Sequence, residues 1–172
     1  LPIHASVLLD HSGSMGNDVG HGHTRHSSAL SGLKLSLESI RNGDRISLWE
    51  YDNTANRVGD ARSAQEFSVL LDRACNPRGG TETGRALQAL ASAGVSHVLL
   101  ITDGETYSVD SDPAAYGNMR ISVVIVGDTV LSGPLAELAR RAASGARSPR
   151  ARVRPLGASG GTPAPAFHDS CP

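Results

Sequence analysis

The chain has 172 residues, a net charge of −1 and only 3% aromatic residues. That length fits one domain able to bury roughly 70% of its unfolded surface. The balanced charge gives no field favouring nucleic acid or an anionic membrane, aromatics are too few for base-stacking platforms, and no apolar run reaches the ~18 residues of a membrane span. Lys34 is the only lysine among the basic residues, and richness in Arg, Ala and Gly points to a GC-rich bacterial genome. No signal peptide is evident. Leu1 already stands at the edge of a strand, as in an excised or processed piece of a longer protein. Cys75 and Cys171 permit one disulfide in an oxidising, secreted setting; without it the bacterial cytoplasm is the expectation, and their number decides neither.

In chain order, His4 to Asp10 reads as a buried strand, followed by a long loop from His11 to Ser27 rich in Gly and His. Leu30, Leu33, Leu37 and Ile40 then recur at helical spacing. Asn42-Gly43-Asp44 turns the chain into a second strand, Arg45 to Tyr51, and Ala55 to Val58 follows as a short antiparallel edge. Ser63-Ala64-Gln65-Glu66 has the form of a capping box ahead of a helix carrying Phe67, Leu70, Leu71 and Ala74. A further helix runs from about Thr83 to Ala93, with Gly94 as its terminator. Val98 to Thr102 and Ile121 to Val126 are near-continuous apolar runs, as in strands buried on both faces. Pro134 opens a helix with Leu135, Leu138, Ala139 and Ala142 inward, and Ala151 to Leu156 reads as a last strand. Strands alternating with helices predict an α/β fold: a doubly wound, mainly parallel sheet flanked by helices, with one antiparallel edge strand. From Pro155 onward seven of eighteen residues are Gly or Pro, so the domain is placed at 1–156 and a tail without helix at 157–172.

The chemistry concentrates where the first strand ends. Asp10-His11-Ser12-Gly13-Ser14 offers three oxygens, two residues apart, at the carboxyl end of a strand, where open α/β sheets bind ligands. Oxygen donors without cysteine suit a hard cation rather than zinc. Alone, the pattern is also that of an ordinary turn. Two further segments alter that balance: Gly79-Gly80-Thr81-Glu82-Thr83-Gly84 opens a helix, and Val98 to Asp103 ends another buried strand on an acid.

With those three segments the chain resembles the von Willebrand factor A (vWA) family, over roughly Ile3 to Leu156. The family's metal-ion-dependent adhesion site joins a DxSxS turn, a loop Thr and a strand-end Asp, which fall here on Asp10, Ser12, Ser14, Thr83 and Asp103. The resemblance implies direct ligation of Mg²⁺ or Mn²⁺ by Ser12, Ser14 and Thr83, with Asp10 and Asp103 acting mostly through water. It implies a Rossmann-like fold in which Asp10 and Asp103 face one another across the crevice. Two carboxylates about 4 Å apart repel by about 4 kcal/mol at an effective dielectric near 20, a penalty that a divalent cation removes. Few direct carboxylates leave such an ion receptive to an Asp or Glu from a protein partner. On this reading Asp10→Ala abolishes metal-dependent binding and leaves the fold largely intact. The family usually closes with a helix that in some members moves on ligand binding; the tail here has no helical pattern, which puts such coupling in doubt. Many bacterial vWA domains work beside ATPases or inside multi-protein assemblies, and such a setting is implied for this chain too.

Several features read as bland. Gly79 to Ala86 lacks the Lys and hydroxyl residue of a phosphate-binding loop. His21, His23 and His26 read as solvated loop histidines, Asp18 as added negative potential, and His11 as a side chain rimming the site or facing water. Glu50 reads as an acid reaching solvent, with a role behind the cation as the alternative, and Trp49 and Tyr51 as core. Glu105 and Tyr107 are placed on the partner surface by position alone.

The leading function is therefore a non-enzymatic protein-binding module. A Mg²⁺-dependent hydrolase or phosphotransferase is the main alternative. Haloacid-dehalogenase-type phosphatases also start with an Asp at the end of the first strand, but they need a second Asp where Ser12 stands and a phosphate-neutralising Lys, and Lys34 lies in the first helix. A scaffold that uses another surface and no metal is the third reading.

Overall fold

A computed structural model describes residues 4–144 of the chain. A five-stranded sheet forms the centre: β1 (His4–Asp10), β4 (Arg45–Tyr51), β5 (Ala55–Ala61), β6 (His97–Thr102) and β7 (Arg120–Ile125). The order is β5-β4-β1-β6-β7, with all neighbours parallel except the β4–β5 hairpin. The antiparallel edge strand is longer than its apolar pattern indicated, because Gly59 and Asp60 extend the pairing without adding an apolar signal. From β1 the chain winds outward to β4 and β5, then returns to lay β6 and β7 on the other side. The winding thus reverses between β1 and β6, and the crevice at their carboxyl ends is where such sheets hold ligands.

Each face has its own core. Helices α1 (Arg25–Ser36) and α2 (Ala64–Asp72) cover one face, where Ala29, Leu30, Leu33, Phe67, Leu70 and Leu71 pack on Val7, Leu9, Leu48 and Ile101. Helices α3 (Thr83–Ser92) and α4 (Gly133–Ser144) cover the other, where Leu87, Leu90, Leu135 and Leu138 pack on Leu8, Leu100, Val123 and Ile125. Leu8, Leu9, Leu48 and Leu100 have no exposed surface, and each such burial contributes about 1.5–3 kcal/mol before conformational entropy is set against it. The side chains of β1 alternate between the two cores, which is why an unbroken apolar run was needed.

The segment from His11 to Ser27 is more ordered than a loop. It holds a 3₁₀ turn (Gly13–Gly16), a small antiparallel pair of β2 (Asp18–Gly20) and β3 (His23–Thr24), and the first residues of α1. The helix starts early because Thr24 and Ser27 cap it reciprocally: the Ser27 amide donates to Thr24 Oγ1 at 3.0 Å, and the Thr24 amide donates to Ser27 Oγ at 2.9 Å. Ser replaces the usual Glu or Gln of a capping box, so the sequence signal is faint. The box at Ser63 forms in part: Ser63 Oγ accepts from the Glu66 amide, while the Glu66 carboxylate accepts from Arg62 rather than Ser63. Gly94, with φ +79°, ends α3 as expected. The expected strand over Ala151 to Leu156, the 157–172 tail and the partner half of a Cys75–Cys171 bridge all lie outside the described residues.

Candidate metal centre

The last residues of β1 and β4, Asp10 and Tyr51, are paired in register, so both project at the carboxyl end of the sheet on the side of α3. Asp10 is fully buried. Its Oδ1 accepts from the Ser12 amide at 2.8 Å and its Oδ2 from the Thr102 hydroxyl at 2.7 Å. The first bond folds the DxSxS turn back on its own acid and brings Ser12 Oγ within 3.2 Å of Ser14 Oγ. Ser12 is buried and Ser14 half-buried, so the pair reaches solvent on the Ser14 side.

Thr83, the first residue of α3, is likewise fully buried. Tyr51 reaches it across the crevice: the two hydroxyl oxygens lie 3.0 Å apart. Backbone bonds weave the three segments together. The Gly13 amide donates to Gly79 O, the Arg78 amide to His11 O, and the Glu82 amide to Asp52 O. Gly79 adopts φ +70°, which L side chains rarely take, and a Cβ there would crowd Asp52.

Asp103 lies just past β6, one residue beyond the Thr102 that bonds Asp10. The strand pairing sets Leu9 beside Ile101, so Thr102 rather than Asp103 is the direct neighbour of Asp10. Asp103 stands one step on, yet close enough for its charge to help raise the Asp10 carboxyl. Its Oδ1 accepts from the Glu105 amide at 3.0 Å and its Oδ2 from Arg25 at 2.9 Å. Burial, first of all, pushes the Asp10 carboxyl above its ordinary range, against the bonds from Ser12 and Thr102. The Tyr51 phenol is pushed well up, by burial and then by the Asp10 charge.

Of the five expected residues, Asp10, Ser12 and Ser14 are joined within one turn, Thr83 meets Tyr51 at the same strand ends, and Asp103 stands close enough for its charge to act on Asp10; three residues that the sequence reading did not assign take part. Tyr51 was read as core, and core it is, but its hydroxyl serves the site. The signal lay in the matched ends of two adjacent parallel strands. Thr102 bonds Asp10, and Arg25 pairs with Asp103, joined from a stretch read as loop.

Other expectations are corrected. His11 neither rims the site nor faces water: it is 1% exposed, packed inward beside the buried His26. Of the three histidines read as solvated loop residues, His21 is exposed and His23 half-buried, whereas His26 belongs to the buried stripe of α1. Glu50 is buried and its Oε2 accepts from the Cys75 amide at 2.9 Å, so it neither reaches solvent nor stands behind the candidate centre. Asp18 closes a local turn by accepting from the Gly20 amide. Among the described residues no group of three or more His, Cys, Asp or Glu is placed to hold a metal; the candidate set here is two carboxylates and three hydroxyls.

A doubly wound sheet with hydroxyl and carboxylate donors gathered at its switch point defines the class. The sequence model of the von Willebrand factor type A domain matches residues 6–105, more than half of the chain, and the chain belongs to that family. Its fold is similar to that of BatB from Bacteroides thetaiotaomicron, with a TM-score of 0.66 at 18% identity over 82% of this chain and 87% of that one. It is also similar to the SpRpn10 VWA domain, with a TM-score of 0.66 at 12% identity over 92% and 91% of the two chains. An aerotolerance-related membrane protein from Bacteroides fragilis gives 0.63 at 16% identity over 83% and 87%. No curated protein matches the sequence. The vWA domain is a general protein-interaction module, and protein partners are the expectation for this one. No described helix is long and apolar enough to cross a membrane.

Proposed function

We propose that the chain binds a protein partner through a divalent cation held by Asp10, Ser12, Ser14, Thr83 and Asp103, and that it has no catalytic activity of its own. One observation carries this reading: the fully buried Asp10 carboxylate has neutral bonding partners, and among the described residues no cation pairs with it. A buried uncompensated carboxylate is costly, and a second acid nearby raises that cost. Hard oxygen donors at the mouth of the crevice are the chemistry that Mg²⁺ or Mn²⁺ takes.

Ser12, Ser14 and Thr83 supply neutral oxygens, while Asp10 and Asp103 supply the charge. Bound there, such an ion would offer a Lewis-acid position to an Asp or Glu carboxylate of the partner. The rim fits a protein rather than a small substrate. Tyr107 is 64% exposed, and its backbone is tied to Thr81 and Gly84 beside the Thr83 hydroxyl. On the far side, Val130 is 80% exposed in the loop whose Thr129 packs by Gly104. Exposed apolar side chains flanking a charged centre are what a protein–protein contact uses.

The test is capture of partners from native lysate on the immobilised domain. Retention in Mg²⁺ that is lost with EDTA, and lost with Asp10→Asn, supports the reading. Retention indifferent to EDTA makes the domain a metal-independent scaffold. Phosphatase turnover in Mg²⁺ that Asp10→Asn abolishes makes it an enzyme instead.

A further inference from the structure

We infer that Arg25 is a resident counter-ion that shares Asp103 with the divalent cation, and so sets how tightly that cation is held. This rests on the cation-binding reading of the site and adds a residue that neither the five-residue motif nor the family match assigns.

The pairing is built rather than incidental. Arg25 Nη1 lies 2.9 Å from Asp103 Oδ2; the guanidinium side chain is 19% exposed and the carboxylate fully buried. Arg25 is the first residue of α1, where the helix dipole disfavours a positive charge, so its position there needs a compensating partner. Its amide donates to Asn17 O at 3.0 Å, which anchors the residue beside the β2–β3 hairpin. Its stem runs along the backbone of Gly127, just past β7. A Cβ at Gly127 would stand 3.2 Å from Arg25 Nε and 3.7 Å from Cδ, so the glycine, at φ +101°, leaves the guanidinium its path.

The two acids of the site are therefore unequal. Asp10 meets only neutral donors, whereas Asp103 has one oxygen on the Glu105 amide and the other on a fixed cation. With Arg25 present, the two carboxylates carry one net negative charge between them; without it they carry two. A divalent ion entering this crevice meets half the charge that the motif alone provides, and a nearby guanidinium that repels it. The consequence is a site held together without metal, with reduced cation affinity, so that an incoming partner carboxylate contributes a larger share of the binding.

The test is calorimetric titration of Mn²⁺ into wild type, Arg25→Gln and Arg25→Lys at low ionic strength, each checked for folding by circular dichroism. Arg25→Gln is expected to bind Mn²⁺ about tenfold tighter or more, and Arg25→Lys, which keeps the charge, to stay within about threefold of wild type. Arg25→Gln should also melt at a lower temperature than wild type without cation and recover with Mn²⁺. Should Arg25→Gln not fold, Arg25→Met keeps a long stem over Gly127 and carries the same expectation. Binding by the charge-free variant where wild type shows none supports the inference in its strongest form. Equal or weaker Mn²⁺ affinity in a folded Arg25→Gln or Arg25→Met overturns it: Arg25 would then be a structural ion pair only, and the cation-binding reading would stand. Absence of Mn²⁺ binding in every folded variant overturns both.

Discussion

The hydroxyls of Tyr51 and Thr83 lie 3.0 Å apart, and neither side chain has any exposed surface. A β-strand end and a helix start are thereby fixed against each other by a buried polar contact beside the Asp10 carboxyl. Tyr51→Phe keeps the ring and removes that contact. The expected cost is about 1 kcal/mol of stability by urea denaturation, with weaker Mn²⁺ binding, because Thr83 loses the partner that orients its hydroxyl. Unchanged stability and affinity would show that the contact organises nothing.

Asp10 bonds the Ser12 amide and the Thr102 hydroxyl, so its removal is not innocuous. The expectation from sequence, that Asp10→Ala leaves the fold largely intact, neglects these bonds. Truncation strands two buried donors, at a cost of about 1–3 kcal/mol each. Asp10→Asn keeps one acceptor and removes the buried charge. In cation-free buffer it is expected to melt well above Asp10→Ala, and both variants should lose cation binding. Equal melting temperatures would contradict the bonding scheme around Asp10.

Gly84 lies within the first turn of α3, where alanine ordinarily favours a helix. Here the sign reverses. A Cβ at this position would stand 1.7 Å from Ser108 O, which is backbone and cannot step aside cheaply. Gly84→Ala is expected to destabilise by about 1–3 kcal/mol, as overpacking does, and to loosen the 105–109 loop beside Asp103. A melting temperature equal to or above that of wild type would contradict this close approach.

His26 provides a pH signature. Burial, and then the neighbouring His11, lower it from its ordinary 6.5 to about 4. Between those values the unfolded chain takes up a proton that the folded chain refuses. The contribution of His26 is therefore whole above pH 6.5 and falls by about 1.4 kcal/mol per unit as pH drops toward 4, about 3 kcal/mol in all. The raised Asp10 carboxyl acts in the opposite sense, since the folded state gains a proton there more readily than the unfolded chain. Urea denaturation from pH 7 to pH 4 should show a shallower loss for His26→Gln than for wild type. Equal slopes would mean that His26 titrates as an ordinary histidine.

Much of this was legible in the chain, and for a physical reason. β1 was bounded correctly because its Val7-Leu8-Leu9 run, buried on both faces, ends on an acid at the crevice, and β4 because the Asn42-Gly43-Asp44 turn marks its start. The candidate donors were legible only as a set, because the Asp10 to Ser14 pattern alone is also that of an ordinary turn and the segments at Thr83 and Asp103 were needed beside it. Depth was not legible. His11 and Glu50 carry polar atoms, and only the packing of the helices over the sheet makes them buried. Arg25 was hidden for a related reason: a helix that begins on Arg and His has no apolar signal at its start, and its partner, Asp103, lies 78 positions away.

The central claim is that one divalent cation is held jointly by three separate segments. Titration of Mn²⁺ into wild type, Ser12→Ala, Thr83→Ala and Asp10→Asn, followed by calorimetry, tests it most directly. One ion per chain in wild type, with affinity lost or sharply reduced in each folded variant, is the expected result. No binding in either wild type or Arg25→Gln, or binding that survives all three substitutions, would contradict it.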